Sequence, residues 1–317
     1  MSELLDFYRE SLEILSPEEI SRDYPIGQVS WLKAGGAADF LVQPESTEKL
    51  TLFLEFLRKN AFLGGEVTIL GAMSNVLVRD GGVRGIVINL LKSLRWWKVD
   101  AAAAAITESI AFPAGLRCTA AFLNTQKYEL SGMEFIAGIP GTIGGAVFMN
   151  AGAHGTEIND IIDWVDIVTF DGEIKRLWKK DLRMQYRNGN FGSNEIIVQA
   201  GFNLQKSEHM KVYTKGIRFL QERAEKFPSG GGIGTAGSTF KNPTGISKLA
   251  WQLIDEAGCR GMKLGNAMIS EKHANFLVNL GGASARDLED LGEKVRIRVF
   301  EKCGIMLEWE IVRIGTP

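Results

Sequence analysis

Gly138-Ile139-Pro140-Gly141-Thr142-Ile143-Gly144-Gly145-Ala146, running on to Asn150-Ala151-Gly152-Ala153, is the most informative stretch of the chain. Glycines at this density open backbone conformations closed to other residues and bring bare N–H groups against a ligand. Concave arrays of such donors bind anions, phosphate above all, without a charged side chain. The competing interpretation is a glycine-rich turn kept only for tight packing. The stretch also lies in the longest run without formal charge, 135–156, which is long enough to raise the question of a membrane span. Pro140, Asn150 and six glycines in that run make it a poor spanning helix.

A second loop of related character, Gly71-Ala72-Met73-Ser74-Asn75, follows the apolar segment 67–70. Ser74 and Asn75 can donate to a phosphate or simply fix the turn. Neither loop is followed by Gly-Lys-Ser/Thr, and neither opens a helix with an acidic residue about 20 positions on, so neither is a nucleotide fingerprint of the familiar kinds. Two phosphate-type loops suit a diphosphate cofactor.

Outward from these loops the patterning is mixed, and it predicts an α/β or α+β chain. Residues 2–15 read as an amphipathic helix and 40–42 as a strand. Ser46 caps a helix with Leu50, Phe53, Leu54 and Leu57 at helical spacing. Strands are expected at 67–70, 86–90 and 196–204, and a hairpin at 164–177 around Asp171-Gly172. The alanine run 101–105 reads as local structure or an exposed turn. Phe227-Pro228 and the glycines that follow read as a linker or mobile loop. Beyond Pro243, a helix is expected with Ile246, Leu249, Ala250, Leu253, Ile254 and Ala257 on one face, ended by Gly258. Another is expected over 285–303, boxed by Ser284 and Asp287 and stopped by Gly304; a strand over 307–314 closes the chain.

Composition narrows the classes. The 317 residues carry 36 basic and 38 acidic side chains, which disfavours a nucleic-acid binder that depends on phosphate neutralisation. Three cysteines, Cys118, Cys259 and Cys303, far apart and in no CxxC pair, supply neither a disulfide framework nor a zinc site. The first residues lack the basic start and apolar run of a signal peptide, so a cytoplasmic chain is expected.

Several motifs in one order then carry a resemblance. Gly35-Gly36, Gly71 with Ser74-Asn75, and the 138–153 stretch come first. Gly237-Ser238-Thr239-Phe240-Lys241-Asn242-Pro243, Leu264-Gly265-Asn266-Ala267 through Asn279, Leu307-Glu308-Trp309-Glu310 and Val312-Arg313-Ile314-Gly315 follow. Together, over about 31–315, they resemble the UDP-N-acetylenolpyruvoylglucosamine reductase (UDP-N-acetylmuramate dehydrogenase, MurB) family. The resemblance implies a two-part FAD-binding domain of the vanillyl-alcohol-oxidase (PCMH) type, 1–90 and 91–208, and an α+β substrate domain, 209–317. It implies NADPH as electron donor and hydride delivery from the flavin to C3 of UDP-N-acetylglucosamine enolpyruvate. A serine protonates C2, giving UDP-N-acetylmuramate for peptidoglycan. With no room for a tyrosine-bearing insertion after Phe191, the chain resembles the second structural type. A small-molecule enzyme, monomeric and without nucleic-acid or membrane partner, is implied.

Carried over residue by residue, the catalytic set is Ser238, Arg187 and Glu310. Arg187 would stabilise charge on the carbon bearing the carboxylate. Ser238, a weak acid in water, needs a strongly basic carbanion and a dry site to act as donor. Glu310, if partly buried, would have a raised pKa and could donate; Glu308 is its confusable neighbour. The cofactor set is Gly71, Ser74, Asn75, Gly138, Ile139, Pro140, Gly141, Thr142, Gly144, Gly145, Ala146, Asn150 and Gly152. Substrate contacts fall on Tyr186, Lys241, Asn242 and His273; His154 reads as structural and His209 as a surface residue. Met73 and Gly189 depart from the pattern, standing where the family commonly has Gly and Ser, and the glycine-rich approach 230–237 is unusual. The alternatives are a flavin oxidase of the same superfamily, for which no histidine near 71–75 offers a covalent link, and a nucleotide-binding protein without catalysis.

Overall fold

Ser46 and Ser284 start two helices by the same chemistry. Ser46 Oγ accepts from Lys49 N at 3.2 Å, and the helix Thr47–Lys59 buries Leu50, Phe53, Leu54 and Leu57. Each of those burials is worth ~1.5–3 kcal/mol relative to exposure. Ser284 Oγ accepts from Asp287 N at 3.0 Å while Asp287 Oδ2 accepts from Ser284 N at 3.3 Å, which closes the box at the head of Ala285–Cys303. Gly304, at φ 68°, ends that helix in the left-handed conformation that glycine adopts most cheaply.

The computed structural model describes residues 2–60, 67–91, 108–228 and 233–317. The alanine run 101–105 and the glycines 230–232 lie outside the described residues. The chain forms two units, one of Met1–Arg22, Phe40–Ala72 and Gly85–Gln221, the other of Asp23–Asp39, Met73–Arg84 and Glu222–Pro317.

One sheet, with most of its residues in the first unit, has the order Ile20–Tyr24, Ala38–Val42, Val83–Asn89, Val67–Leu70, the last two parallel with Val67 opposite Ile86. A second sheet is antiparallel throughout, in the order Ile174–Trp178, Ile162–Thr169, Glu195–Asn203, Ser109–Pro113. Its expected hairpin turns at Gly172, φ 83°, with Val168 opposite Ile174. One apolar core, including Phe7, Phe40, Phe53, Phe112, Phe122 and Phe202, serves this unit.

The second unit is built on an antiparallel sheet in the order Gly234–Ser238, Phe276–Asn279, Ala267–Ile269, Lys263–Leu264. Leu253, Leu277, Leu291, Val295 and Phe240 are among its core residues. Val312–Ile314 pairs in parallel with Val76–Val78.

Two expected elements are shorter than their patterns. The helix beyond Pro243 spans only Ala250–Glu256, and Ile246 and Leu249 are exposed. Gly245 takes φ 78°, Leu249 is extended, and Asn242 Oδ1 accepts from Ala250 N at 3.0 Å, so the side chain replaces the missing first turn. The closing strand is regular only over Val312–Ile314. Thr239 O takes the N–H groups of both Glu310 and Ile311, at 2.9 and 3.4 Å, which breaks the ladder before Val312. The uncharged run 135–156 folds as a 3-10 turn, Glu134–Gly138, the short helix Ile143–Phe148 and a two-stranded ribbon. Among the described residues no helix is long and apolar enough to cross a membrane.

Candidate active site

Thr142 organises the glycine-rich stretch. It caps the helix Ile143–Phe148, its Oγ1 facing Gly145 N at 3.4 Å. A Cβ on Gly71 would stand 2.5 Å from the same hydroxyl, so in the first unit the end of the Gly71 loop closes directly on Thr142. Gly145 is exposed, with only that hydroxyl within reach of its missing Cβ, at 3.5 Å. Gly138, Ile139, Pro140 and Gly141 are half-buried, and Gly141 turns at φ 129°. Gly144 has a packing duty: its N–H donates to Ala114 O at 2.9 Å, and a Cβ would meet the Ala114 methyl at 2.7 Å. Ala146 is buried. Gly71 thus lets its loop close on Thr142, and Gly145 leaves the space beside that hydroxyl clear of a side chain, which fits a phosphate-bearing cofactor such as FAD.

Asn150 stitches this region together. It is fully buried; Nδ2 donates to Gln185 O and Oδ1 accepts from Asn159 N, both at 2.9 Å. The 185–190 loop so anchored carries Arg187, whose Nη2 donates to Gly152 O at 2.9 Å and whose guanidinium lies 4.7 Å from the Tyr186 ring centroid. Arg187 sits at φ 54°, a left-handed backbone that costs a non-glycine residue about 1–2 kcal/mol. Gly189 has a local reason to lack a side chain, since a Cβ would stand 2.5 Å from Val147 O. His154 stacks on Phe219 at 3.7 Å, and His209 is exposed beside Gln126.

In the second unit, the pairing of Gly234–Ser238 with Phe276–Asn279 slips between Thr235 and Ser238, where Gly237 turns at φ 81°. Such a break re-aims the residue that follows it, here half-buried Ser238. Beyond it the chain pairs with the 308–310 segment: Glu310 N donates to Thr239 O at 2.9 Å and Lys241 N to Glu308 O at 2.8 Å. Glu310 is half-buried. Glu308 is 78% exposed, with its carboxylate 3.6 Å from Lys241 Nζ. Asn75 Nδ2 donates to Glu310 O at 3.0 Å, so this residue of the Gly71–Asn75 loop reaches the Glu310 segment. Met73 stands at φ 52°, a conformation suited to the glycine the family pattern has there. Ser74 is half-buried.

His273 Nδ1 accepts from Asn275 N at 3.2 Å, which leaves Nε2 to carry the proton of the neutral ring. Burial, with Arg260 and Lys226 nearby, holds its pKa below the usual histidine value. Asn242 spends its Oδ1 on the cap described above, which fixes the orientation of its amide.

Arg223 is the residue that sequence reasoning passes over. It lies in the last turn of the helix His209–Lys226, where a basic side chain ordinarily answers the helix dipole. Instead its Nη2 lies 3.8 Å from the position a Cβ on Gly237 would take, and its guanidinium is 5.1 Å from the Phe227 ring centroid. Burial lowers its pKa, opposed by the charge of Glu310. Only the fold brings Arg223 beside Gly237 and within the field of Glu310.

A cradle beside Thr142 in the first unit and, in the second, Ser238, Glu310 and the half-buried Arg223 are groups that a flavin-dependent oxidoreductase can use. Residues 38–177 match the FAD binding domain family, and residues 228–314 match the family described as UDP-N-acetylenolpyruvoylglucosamine reductase, C-terminal domain. The UDP-N-acetylenolpyruvoylglucosamine reductase of Gluconobacter oxydans is 43% identical over 92% of this chain and 90% of its own. That of Acidiphilium cryptum is 42% identical over 94% and 92%. The crystal structure of UDP-N-acetylenolpyruvylglucosamine reductase from Thermus caldophilus superposes with a TM-score of 0.76 at 29% identity, covering 94% of this chain and 98% of that one. The chain belongs to the UDP-N-acetylenolpyruvoylglucosamine reductase family.

Proposed function

We propose that the chain reduces UDP-N-acetylglucosamine enolpyruvate to UDP-N-acetylmuramate, with NADPH as electron donor, in peptidoglycan precursor synthesis. The observation that supports this most directly is the backbone pairing that holds Thr239, next to Ser238, against Glu310. When bound, FAD supplies two-electron chemistry, accepting hydride from NADPH and passing it to C3 of the enolpyruvyl group. Gly138, Ile139, Pro140, Gly141, Thr142, Gly144, Gly145 and Ala146, with Gly71, Ser74, Asn75, Asn150 and Gly152, form its binding set.

Addition at C3 leaves charge on C2 and its carboxylate. Arg187, oriented by its bond to Gly152 O, stabilises that charge with its guanidinium. Ser238 delivers the proton to C2, and Glu310 supports it. Lys241 and Asn242 hold the diphosphate or enolpyruvyl end, with Tyr186 and His273 as further substrate contacts. The division into 1–90, 91–208 and 209–317 assigns the first two segments to the cofactor and the last to the substrate. The enzyme acts in the cytoplasm as a monomer.

Anaerobic protein loaded with FAD tests the reading. Its flavin absorbance should bleach with NADPH and return on addition of UDP-N-acetylglucosamine enolpyruvate. A flavin that bleaches but is not reoxidised by this compound would mean another acceptor.

A further inference from the structure

Trp309 stands immediately before Glu310 and is held from several sides. Its indole Nε1 donates to Glu293 Oε1 at 2.7 Å. Its ring lies 5.1 Å from that of Phe240, two residues beyond Ser238, and the two residues form a β-bridge. The Arg313 guanidinium lies over the indole, 4.7 Å from its ring centroid. Two residues before it, Leu307 O accepts from Arg296 Nε at 2.8 Å, and Arg296 Nη1 also donates to Glu293 Oε2 at 2.5 Å.

Gly292 explains how the ring fits. It is buried within the helix Ala285–Cys303, where glycine costs about 1 kcal/mol relative to alanine. A Cβ at this position would overlap the Cη2 and Cζ2 atoms of Trp309. The helix therefore gives up local stability at the one place where the indole lies against its backbone. The next residue, Glu293, supplies the acceptor for the indole N–H.

We propose that Trp309, seated on Gly292 and bonded to Glu293, is a positioning residue that sets the direction of Glu310 relative to Ser238. Glu310 follows Trp309 directly, and its N–H donates to Thr239 O at 2.9 Å. Fixing Trp309 against the helix therefore fixes the backbone from which the Glu310 side chain departs, and the bridge between Trp309 and Phe240 ties that backbone to the segment that continues from Ser238. The inference rests on the reading of Glu310 as a group that acts on substrate.

The test separates the two half-reactions in FAD-loaded Trp309→Phe, Gly292→Ala, Glu310→Gln and the Trp309→Phe/Glu310→Gln double variant. Phenylalanine keeps an aromatic ring but lacks the N–H, and thermal unfolding checks that each variant is folded. Trp309→Phe and Gly292→Ala should slow substrate-driven flavin reoxidation about tenfold, as small misplacements of reacting groups do, with flavin reduction by NADPH within about twofold of the parent. The double variant should be no slower than Glu310→Gln alone, because Trp309 acts through Glu310. Unchanged reoxidation in both positioning variants, equal slowing of both half-reactions, or multiplying effects in the double variant would overturn the proposal while leaving Glu310 in place. Unchanged reoxidation in Glu310→Gln alone would overturn the role of Glu310 and this inference with it.

Discussion

Asn75 and Glu310 are 235 positions apart in sequence, and the side-chain amide of the first donates to the backbone carbonyl of the second at 3.0 Å. Val312 N returns a bond to Asn75 O at 3.0 Å and begins the parallel pairing of Val312–Ile314 with Val76–Val78. The turn that bears Asn75 thereby fixes where the Glu310 segment starts its strand. Asn75→Ala removes the amide bond, which should cost ~1 kcal/mol of stability. It should also slow substrate-driven reoxidation, whereas Ser74→Ala should leave the Glu310 segment in place. Denaturant unfolding and single-turnover rates check both; an Asn75→Ala protein of parental stability would contradict the linkage.

Ser238→Ala should leave flavin reduction by NADPH intact and slow reoxidation by substrate by about 10²–10⁴-fold, the range of a lost general acid. Stopped-flow measurement of each half-reaction decides this. Equal loss in both would remove Ser238 from the protonation step.

Glu310→Gln should damage turnover far more than Glu308→Gln. Glu308 is exposed, and its ion pair with Lys241 at 3.6 Å is of the kind worth at most about 1 kcal/mol. Steady-state kcat for the two variants gives the ranking, and the reverse order would mean that the other carboxylate acts.

Met73→Gly should stabilise the protein by ~0.5–1 kcal/mol. Relief of the left-handed backbone at φ 52° outweighs the added freedom of glycine in the unfolded chain. Urea unfolding reads the change, and FAD titration reads whether the loop binds as before; a lower stability would show that the Met73 side chain contributes more than its backbone costs.

His273 should make stability fall on acidification. Its pKa in the folded protein is lowered by burial and by Arg260 and Lys226, so the unfolded chain takes up the proton first. The contribution is present above the ordinary value of 6.5 and is lost as the pH drops through the folded value. Melting temperatures of the parent and His273→Gln should converge toward low pH; a constant gap would contradict the shift.

Much of the fold was legible where a local signal was complete. Ser284, Asp287 and Gly304 mark both ends of Ala285–Cys303, and the Asp171-Gly172 turn marks its hairpin. Patterns failed where a distant group took over a local bond. Asn242 replaces the first turn beyond Pro243, and Thr239 diverts two N–H groups from the closing strand. Gly189, a departure in sequence, makes sense only against the backbone of Val147. Arg223 carried no signal, because its position in a helix end is where a surface arginine also belongs. The excursions of 23–39 and 73–84 into the second unit are likewise set by long-range pairing that no local pattern encodes.

The most direct test of the central claim is anaerobic NADPH consumption by the FAD-loaded protein, with the product identified by mass spectrometry. With UDP-N-acetylglucosamine enolpyruvate present, NADPH should disappear mole for mole with the appearance of UDP-N-acetylmuramate, and without it consumption should stop once the flavin is reduced. NADPH oxidation that is indifferent to this substrate, or that yields no UDP-N-acetylmuramate, would contradict the assignment.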